Sequence, residues 1–280
     1  MSNGYVASSS NDGTVNIWEP NTWSSFRVYK GHTAMLYGLD QIDEDTIVSG
    51  SADFTIQIWK ISTGVAINTI NVSAIVHTVR SLLNSNLIVC GLAVANDSLR
   101  VYEYSTGNLV KPINIGYVYS IEILNEQYMA SAGIEHNIII WDLTTYSINK
   151  ILKANMRSFN YLKSLPKHLL ASASADNSIF IWNWSNGNQI LTLMGHTGQL
   201  GLCSLDLLDN EILISGSYDQ TIRLWNITNG ALIQTIETDM QINALAVFKM
   251  SKLRLVGLAG CCFKKSIFFI YNTQHFMCYV

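Results

Sequence analysis

Histidine, serine and aspartate, the residue types of a hydrolase triad, occur together twice at matching spacing. The two sets are His32, Ser49 and Asp53, and His196, Ser215 and Asp219. In each set the aspartate follows the serine by four residues, and a tryptophan, Trp59 or Trp225, follows the aspartate by six. A nucleophile, a base and an orienting acid suit acyl transfer. A catalytic site would not recur with a repeat, however, and the chain has no Gly-x-Ser-x-Gly turn. The pattern therefore favours a repeated structural role.

The elements around the first set define a repeating unit. The stretch Gly31–Gly64 alternates apolar and polar residues at period two and places turn residues every eight to twelve positions, which predicts short antiparallel strands. An aromatic residue closes the third strand of each unit, at intervals of 39 to 46 residues. These seven hub residues are Trp18, Trp59, Tyr102, Trp141, Trp182, Trp225 and Tyr271. A turn glycine follows several hubs by five residues, as a tight hairpin requires. These glycines are Gly64, Gly107, Gly187 and Gly230.

The Gly31-His32 start and the tryptophan near the end make this unit resemble one WD-repeat, which forms a four-stranded blade of a β-propeller. The resemblance covers essentially the whole chain, and the architecture is similar to that of the G-protein β subunit. It implies an all-β fold, a seven-bladed WD-repeat β-propeller of four-stranded antiparallel blades. It also implies a single propeller domain over residues 1–280, with the seven aromatic residues as blade hubs.

The resemblance implies a structural hydrogen-bond chain in two of the blades. In WD-repeats this chain links the histidine, the turn aspartate, the strand serine and the tryptophan. The residues that match are His32, Ser49, Asp53 and Trp59, and His196, Ser215, Asp219 and Trp225. Buried polar groups must satisfy one another, because each unpaired group costs a few kcal/mol of desolvation, on the order of 1–3 kcal/mol. Two other blades keep three members each. These are Ser8, Asp12 and Trp18, and Ser172, Asp176 and Trp182.

The ends of the chain bear on how the predicted ring closes. The first blade begins at its second strand, Tyr5–Ser9, and lacks its innermost strand. After Tyr271 there is room for one outer strand, His275–Val280. Either the ring closes imperfectly or the chain is a fragment of a longer protein. The unpaired N–H and C=O groups of an open inner edge favour the fragment.

WD-repeat proteins often meet their partners at the narrow top face, so the resemblance also implies a binding surface. The matching positions lie three and five residues beyond the Gly-His histidine, and just before each turn aspartate. They are Met35, Tyr37, Ile75, His77, Tyr117, Tyr119, Ser158, Asn160, Gln199, Gln241, Asn243 and Tyr218. Tyrosine, methionine and isoleucine dominate one arc, as in protein interfaces, while amides and small residues form the other. The alternative is that these side chains only line a central channel.

Composition excludes several classes of function. A net charge of −3 and a pI near 6.0 give no basic field for nucleic acid or an anionic membrane. The longest apolar run, Leu87–Ala95, is far shorter than the roughly 20 residues of a membrane-spanning helix. The top-face set contains no lysine or arginine, which weighs against a reader of phosphorylated motifs.

Metal sites are also disfavoured by the sequence. Cys261 and Cys262 are adjacent, but the chain has no Cys-x-x-Cys pair, so the five cysteines are interpreted as reduced thiols of an intracellular protein. The acidic turns at Asp43–Asp45 and Asp209–Glu211 lack the spacing of a calcium loop and are interpreted as solvated turns.

The sequence therefore predicts a non-enzymatic scaffold for protein–protein interaction, with no cofactor, no metal and no small-molecule substrate. Its expected partners are other proteins, and its expected location is intracellular and cytoplasmic. One alternative is a substrate-recognition subunit of a ubiquitin-ligase-type complex, which would need an adaptor-binding segment outside the propeller. A less favoured alternative is a propeller hydrolase, which would need converging acids among the top-face residues.

Overall fold

The structure is a computed structural model that describes residues 5–19, 22, 24–153, 157–198, 201–249, 254–259, 266–271 and 275–279. Side chains are described through residue 247 except at Cys203, and only the backbone is described beyond. Within these ranges the regular elements are all strands, β1 to β27. None of the described segments forms a helix of the length and apolarity that crossing a membrane requires. Cys261 and Cys262 lie outside the described residues.

The first four sheets are formed by strands consecutive in sequence, and every pairing that the structure specifies is antiparallel. The first sheet contains three strands, β1 (Val6–Ser9), β2 (Thr14–Trp18) and β3 (Ser25–Lys30). The next three contain four strands each. They are β4 (Leu36–Asp43), β5 (Thr46–Ser51), β6 (Thr55–Lys60) and β7 (Ala66–Asn71); β8 (Val76–Ser81), β9 (Leu87–Leu92), β10 (Leu99–Glu103) and β11 (Leu109–Ile113); and β12 (Val118–Ile123), β13 (Tyr128–Gly133), β14 (Asn137–Asp142) and β15 (Ser147–Lys153).

Three further four-stranded sheets follow the same order. They are β16 (Phe159–Leu165), β17 (Leu169–Ser174), β18 (Ile179–Asn183) and β19 (Asn188–Leu193); β20 (Leu202–Leu207), β21 (Ile212–Ser217), β22 (Thr221–Asn226) and β23 (Leu232–Glu237); and β24 (Ala244–Lys249), β25 (Arg254–Ala259), β26 (Ser266–Tyr271) and β27 (His275–Tyr279). The fold is an all-β propeller built of such blades.

The blade count departs from the sequence-based expectation. Six sheets are complete four-stranded blades, while the first has only three strands in the described part of the chain. The prediction of a seven-bladed propeller is therefore wrong, since the structure has six blades; the first sheet, which was expected to lack its innermost strand, contains three strands in the described residues. Counting aromatic hubs caused the error, because Trp18 marks the third-strand position of its repeat whether or not the sheet around it is complete.

Two local features recur where the third strand of a sheet ends. The register between third and fourth strands shifts just before the hub, for example between Ile58 and Trp59 and between Leu224 and Trp225. Such a bulge adds twist and re-aims the side chain that follows it. Five residues later the backbone reaches the left-handed region, at Gly64 with φ 77° and Gly230 with φ 77°. Glycine is favoured there because it has no Cβ to clash.

Apolar residues fill the space between neighbouring sheets. One cluster joins Val48 and Ile58 of the second sheet to Val79 and Ile88 of the third. A second joins Ile181 to Leu213 between later sheets. The second strands are rich in small residues, as in the buried Val48-Ser49-Gly50 segment, and this lets the next sheet approach closely.

The chain divides into two compact units. One contains Met1–Glu135 with Ile140–Asn149, and the other contains His136–Ile139 with Lys150–Val280. The first unit holds the first three sheets in full. The second unit holds the last three sheets in full.

A contact between neighbouring sheets recurs within each unit and was not predicted from sequence. The residue nine positions after a hub lies against the turn glycine of the next sheet. Arg27 Nη2 donates to Ser62 O at 2.9 Å, and Asn68 Nδ2 donates to Tyr104 O at 2.9 Å. Lys150 Nζ donates to Ser185 O at 2.6 Å. Leu191 takes the same position beside Gly230 with an apolar side chain.

Candidate functional site

The structure brings together both sets of polar residues that the sequence singles out. In the second sheet, His32 Nδ1 lies 2.8 Å from Asp53 Oδ2 and His32 Nε2 lies 2.8 Å from Ser49 Oγ. The Trp59 indole N–H donates to the same Ser49 Oγ at 2.9 Å. A neutral histidine that donates from Nδ1 and accepts at Nε2 satisfies every group of this chain.

The sixth sheet repeats this geometry within 0.1 Å. His196 Nδ1 is 2.8 Å from Asp219 Oδ2, His196 Nε2 is 2.7 Å from Ser215 Oγ, and Trp225 Nε1 donates to Ser215 Oγ at 2.8 Å. The sequence analysis missed a fifth member of each set, a threonine two residues after the aspartate. The Thr221 hydroxyl donates to Asp219 Oδ1 at 2.7 Å, as Thr55 does to Asp53. The Asp-x-Thr spacing is the signal that could have revealed it.

The electrostatics of the two sets favour a neutral histidine beside an ionised aspartate. Burial lowers the pKa of His32 and of His196, and it outweighs the opposing effect of the partner carboxylate. Burial opposes ionisation of Asp53, but hydrogen bonds from Thr55, Thr33 and His32 together lower its pKa.

Burial also argues against hydrolysis at these sets. The side chains of His32 and Asp53 are 0% and 7% exposed, and Ser49 is 0% exposed. A nucleophile must reach a substrate carbonyl, and Ser49 Oγ is instead occupied by the histidine and the indole. The geometry therefore supports a structural role for both hydrogen-bond sets.

Three other sheets keep the bond between tryptophan and serine, but no histidine joins it among the residues that the structure describes. Trp18 donates to Ser8 at 2.9 Å and Trp182 donates to Ser172 at 2.9 Å. Trp141 donates to Ser131 at 2.8 Å, a pair that the sequence analysis did not include.

The expected top-face residues of the first unit form a contiguous aromatic strip, defined here as Tyr37, His77 and Tyr119. They lie one on each of the first strands β4, β8 and β12. The ring centroids of Tyr37 and His77 are 5.1 Å apart, and those of His77 and Tyr119 are also 5.1 Å apart. Tilted and edge-to-face pairs at this distance are favourable. Burial lowers the pKa of His77, which favours the neutral form of its imidazole.

Exposed side chains flank the aromatic strip. Met35 and Tyr37 are 46% and 45% exposed, and the Tyr37 hydroxyl lies 3.6 Å from Met35 Sδ. Tyr117 is 36% exposed, and its carbonyl accepts from Ile134 N at 3.3 Å. Ile75 is half-buried, and its carbonyl accepts from Ala93 N. Backbone hydrogen bonds thus join the loops after the second strands to the residues that precede the strip on β8 and β12.

The expected top-face residues of the second unit are less exposed and more polar. Gln241 is exposed, whereas the remaining described members are half-buried. These are Ser158, Asn160, Tyr218 and Asn243. Asn160 Nδ2 donates to Leu202 O at 3.1 Å, while Asn243 Oδ1 is buried without a hydrogen-bond partner. Gln199 lies outside the described residues.

No cluster of three or more potential metal-ligating side chains occurs among the residues whose positions are described. The acidic turns bond to their own backbone: Asp43 Oδ1 accepts from Asp45 N at 2.9 Å, and Asp209 Oδ1 accepts from Glu211 N at 2.9 Å.

The repeated four-stranded sheets, the aromatic hubs and the two hydrogen-bond chains define a repeat-built β-propeller. The family model "WD domain, G-beta repeat" matches residues 2–19, 23–60 and 187–226. The segments 23–60 and 187–226 each contain one complete hydrogen-bond set. These matches cover about a third of the chain, and together with the repeated sheets they support a WD-repeat β-propeller family.

Curated relatives are similar over most of this chain. Protein SUPPRESSOR OF PHYA-105 1 of Arabidopsis thaliana is 26% identical over 73% of this chain and 17% of its own length. The E3 ubiquitin-protein ligase COP1 of the same plant is 22% identical over 72% of this chain and 24% of its own length. Eukaryotic translation initiation factor 3 subunit I of Vanderwaltozyma polyspora is 26% identical over 58% of this chain and 49% of its own length. The matched region is thus less than a third of the first two relatives.

Proposed function

We propose that this chain is a non-enzymatic protein-interaction module that binds a partner protein through the aromatic strip and its exposed flanks. The observation that carries the proposal is the strip itself, three aromatic rings in contact beside the exposed side chains of Met35 and Tyr117. Tyrosine and methionine are enriched at protein interfaces, and aromatic anchors supply most of the binding energy there. Residues 1–280 would act as one recognition domain.

The chemistry of the strip supports a partner segment with an apolar anchor. The predicted top-face positions carry no lysine or arginine, and burial lowers the pKa of His77, which favours its neutral form. The buried hydrogen-bond sets leave no accessible nucleophile for an enzymatic alternative. The proposed partners are therefore other proteins, not nucleic acid, a membrane or a small-molecule substrate.

A second candidate is favoured by one relative in particular, which is named as an E3 ubiquitin-protein ligase. In this version the chain is the substrate-recognition part of a ubiquitin-ligase complex, and the same strip holds the substrate. The two candidates differ in whether ubiquitination machinery co-purifies with the chain.

The test compares the Tyr37→Ala, Tyr119→Ala double variant with wild type in affinity capture from the native cell extract. The variant should fold normally but lose partners, because the substitutions remove the exposed ring of Tyr37 and the half-buried ring of Tyr119 from the strip. The matched control is Ile67→Ala with Leu232→Ala, two outer-strand residues of similar exposure, 48% and 45%. A photo-crosslinker placed at residue 37 should label the partner, and one placed at residue 67 should not. Equal capture by all three proteins, or equal labelling from both positions, would contradict the proposal.

We also propose that the protein acts inside the cell, in the cytoplasm. The buried Cys90 thiol supports this, since burial raises its pKa to about 12 and leaves it unreactive as a reduced thiol. Cell fractionation would test the location, and recovery in the secreted fraction would contradict it.

A further inference from the structure

A groove lies between the second and third sheets, at the opposite end of their first strands from the aromatic strip. Tyr37 and His77 lie near the starts of β4 and β8, whereas the groove is bounded by the residues at which these two strands end. Its walls are residues 41–43, residues 81–86 and residues 104–105. Its volume of about 760 Å³ falls within the range of ligand-binding clefts.

The apolar part of the groove is fixed in place by the core. Leu82 is buried, and Ile42 and Tyr104 are partly buried and pack against the core cluster shared by these two sheets. The backbone of Tyr104 is bonded on both sides: its N–H donates to Asn86 O at 3.1 Å, and its carbonyl accepts from Asn68 Nδ2 at 2.9 Å. An aromatic residue is therefore held rigidly in the wall.

The amide side chains of the groove offer free acceptors. Asn84 Nδ2 donates to Glu126 Oε1 at 2.7 Å, and Asn86 Nδ2 donates to Ser105 Oγ at 2.7 Å. The Oδ1 atoms of both asparagines have no hydrogen-bond partner among the residues that the structure describes. Because an amide oxygen accepts and cannot donate, these atoms suit a ligand that carries N–H groups.

The charge of the groove is negative. Asp43 is exposed, and no lysine or arginine stands among the described residues of the walls. Asp43 Oδ1 accepts from Asp45 N at 2.9 Å, and its Oδ2 has no partner in the described part of the chain. Glu126, the acceptor of the Asn84 bond, is a second exposed carboxylate beside the groove. A cationic ligand is therefore favoured.

The charged residues of the first strands are engaged within the protein and do not change this sign. Asp40 Oδ2 accepts from Ser81 N at 2.8 Å, and Arg80 Nε lies 3.9 Å from Glu122 Oε2. These residues belong to a series that alternates in sign along the first strands of five successive sheets. The series is Asp40, Arg80, Glu122, Lys163 and Asp206.

We propose that this groove binds an arginine side chain of a partner protein. A guanidinium group carries five N–H donors, no acceptor and a fixed positive charge, which matches the free amide and carboxylate oxygens. Its planar end would stack on Tyr104, and its aliphatic stem would cover Leu83, which is 54% exposed. Lysine fits less well, because its compact ammonium group has three donors and no planar face.

A basic partner fits the groove better than a second copy of this chain. The net charge of −3 makes two copies repel, whereas a basic segment is attracted. Arg27, Arg80 and Arg100 also donate already to backbone carbonyls within the protein. The groove is separate from the aromatic strip, so the inference goes beyond the proposed function.

The probe is a capped synthetic peptide, Gly-Ser-Arg-Ser-Gly, titrated into the isotope-labelled full chain and followed by NMR. The matched peptide carries citrulline, which keeps the length and shape of arginine but has a neutral urea group in place of the guanidinium. Backbone signals of residues 41–43 and 81–86 should shift with the arginine peptide. Its affinity should be at least about fivefold higher than that of the citrulline or lysine peptide, because charge-assisted, multidentate bonds are the strong ones.

Asp43→Asn should weaken binding of the arginine peptide by about fivefold, since it removes the charge and keeps the turn acceptor. The matched control is Asp209→Asn, because Asp209 Oδ1 accepts from Glu211 N at 2.9 Å as Asp43 Oδ1 accepts from Asp45 N. This control should leave binding unchanged. The comparison of peptides on the wild-type chain needs no variant, so it stays decisive if Asp43→Asn fails to fold.

Equal binding of the arginine and citrulline peptides, tighter binding of the lysine peptide, or shifts confined to residues outside the groove would overturn the proposal. Free arginine that binds as tightly as the peptide would also overturn it and assign the groove to a small molecule. Dimerisation that shifts residues 41–43 without peptide would assign the groove to a second copy.

The titration would be repeated with any sequence that flanks residues 1–280 in the native protein. Binding should persist there, and its loss would assign the groove to a segment of the same protein and overturn the partner. The Tyr37→Ala, Tyr119→Ala variant should bind the arginine peptide normally, which separates this result from the proposed function.

Discussion

At the scale of single residues, the two hydrogen-bond sets show how a pattern that looks catalytic serves stability. Each polar side chain is buried, and each has a partner within 2.9 Å. Removing one member leaves the others desolvated and unpaired, which costs more than the bond itself contributes. The tryptophan contributes mainly by filling volume in the core. The serine accepts a hydrogen bond from the indole N–H, so that this group can be buried without losing a partner.

Asp219→Ala should lower the free energy of unfolding by about 1–3 kcal/mol, because His196, Thr221 and the Thr197 N–H lose their acceptor. Denaturant unfolding followed by tryptophan fluorescence measures this loss. The control is Asp176→Ala, whose exposed carboxylate accepts from Ser178 N without a histidine partner, and which should cost less than about 1 kcal/mol. A variant at Asp219 as stable as wild type would remove the structural role assigned to the set.

Sequence spacing was sufficient to predict that these residues meet, because each repeat contains all members of its hydrogen-bond set. Serine and aspartate lie on the same hairpin as the tryptophan, so four- and six-residue spacings determine their neighbours. The bond from Asp206 to Val247 N was not foreseen, since it links residues 41 apart on different sheets. Pairwise contacts between sheets leave no local pattern, although the alternating charges of the first strands were available as a signal.

At the scale of elements, the aromatic strip depends on how closely neighbouring first strands approach. Beside Tyr37, a Cβ on Gly38 would lie 2.8 Å from Val79 N and 3.1 Å from Thr78 C. Both atoms belong to the backbone of β8, the strand that carries His77. The absence of a side chain at residue 38 thus allows β4 and β8 to approach closely enough for the rings of Tyr37 and His77 to be in contact.

Gly38→Ala should destabilise the chain by about 1–3 kcal/mol, because the added methyl group displaces backbone in a packed region. It should also weaken partner capture by spreading β4 from β8. Thermal unfolding and the capture assay would be measured on the same protein. Gly116→Ala is the control: its Cβ would meet the side chain of Glu135, which can move aside, so the loss should be smaller. Equal losses at the two glycines would show that close approach of the strands is not the cause.

At the scale of the whole molecule, hydrophobic periodicity and turn chemistry predicted the all-β propeller and the hub residues at or next to the ends of the third strands. They overestimated the number of blades, although the sequence did indicate that the first blade lacks its innermost strand. A repeat signal reports the third strand and its hub, whereas completeness depends on whether a first strand pairs at the inner edge, as one does at Leu36 and none does ahead of Val6 in the described residues. Residue type also predicted a top face that is apolar on one side and polar on the other, but the ring contacts within the aromatic strip are evident only from the structure.

Global stability should fall as the solution is acidified. The folded-state pKa values of His32 and His196 are lowered by burial, so below the ordinary value of 6.5 the unfolded chain binds protons that the folded chain does not. Stability is therefore fully present above that value and declines beneath it. A second decline is expected below 3.8, because the hydrogen-bonded Asp53 and Asp219 also have lowered pKa values.

Urea unfolding at about pH 7.5 and about pH 5 would measure the first decline, which proton linkage to the two histidines predicts. The matched control is the His32→Gln, His196→Gln double variant, which should be less stable at neutral pH but change less between the two conditions. Stability that rises on acidification over this range would contradict the buried, neutral state of both histidines.

The alternating charges of the first strands also constrain how the number of blades can change. Asp40, Arg80 and Glu122 stand on consecutive first strands, and Arg80 lies 3.9 Å from Glu122. Excising the single blade β8–β11 would place the strand of Asp40 beside that of Glu122, two carboxylates in succession. Excising two successive blades would restore opposite charges at the junction. Copy number in this part of the chain is thus subject to a parity rule, under which even changes preserve the electrostatic match and odd changes break it.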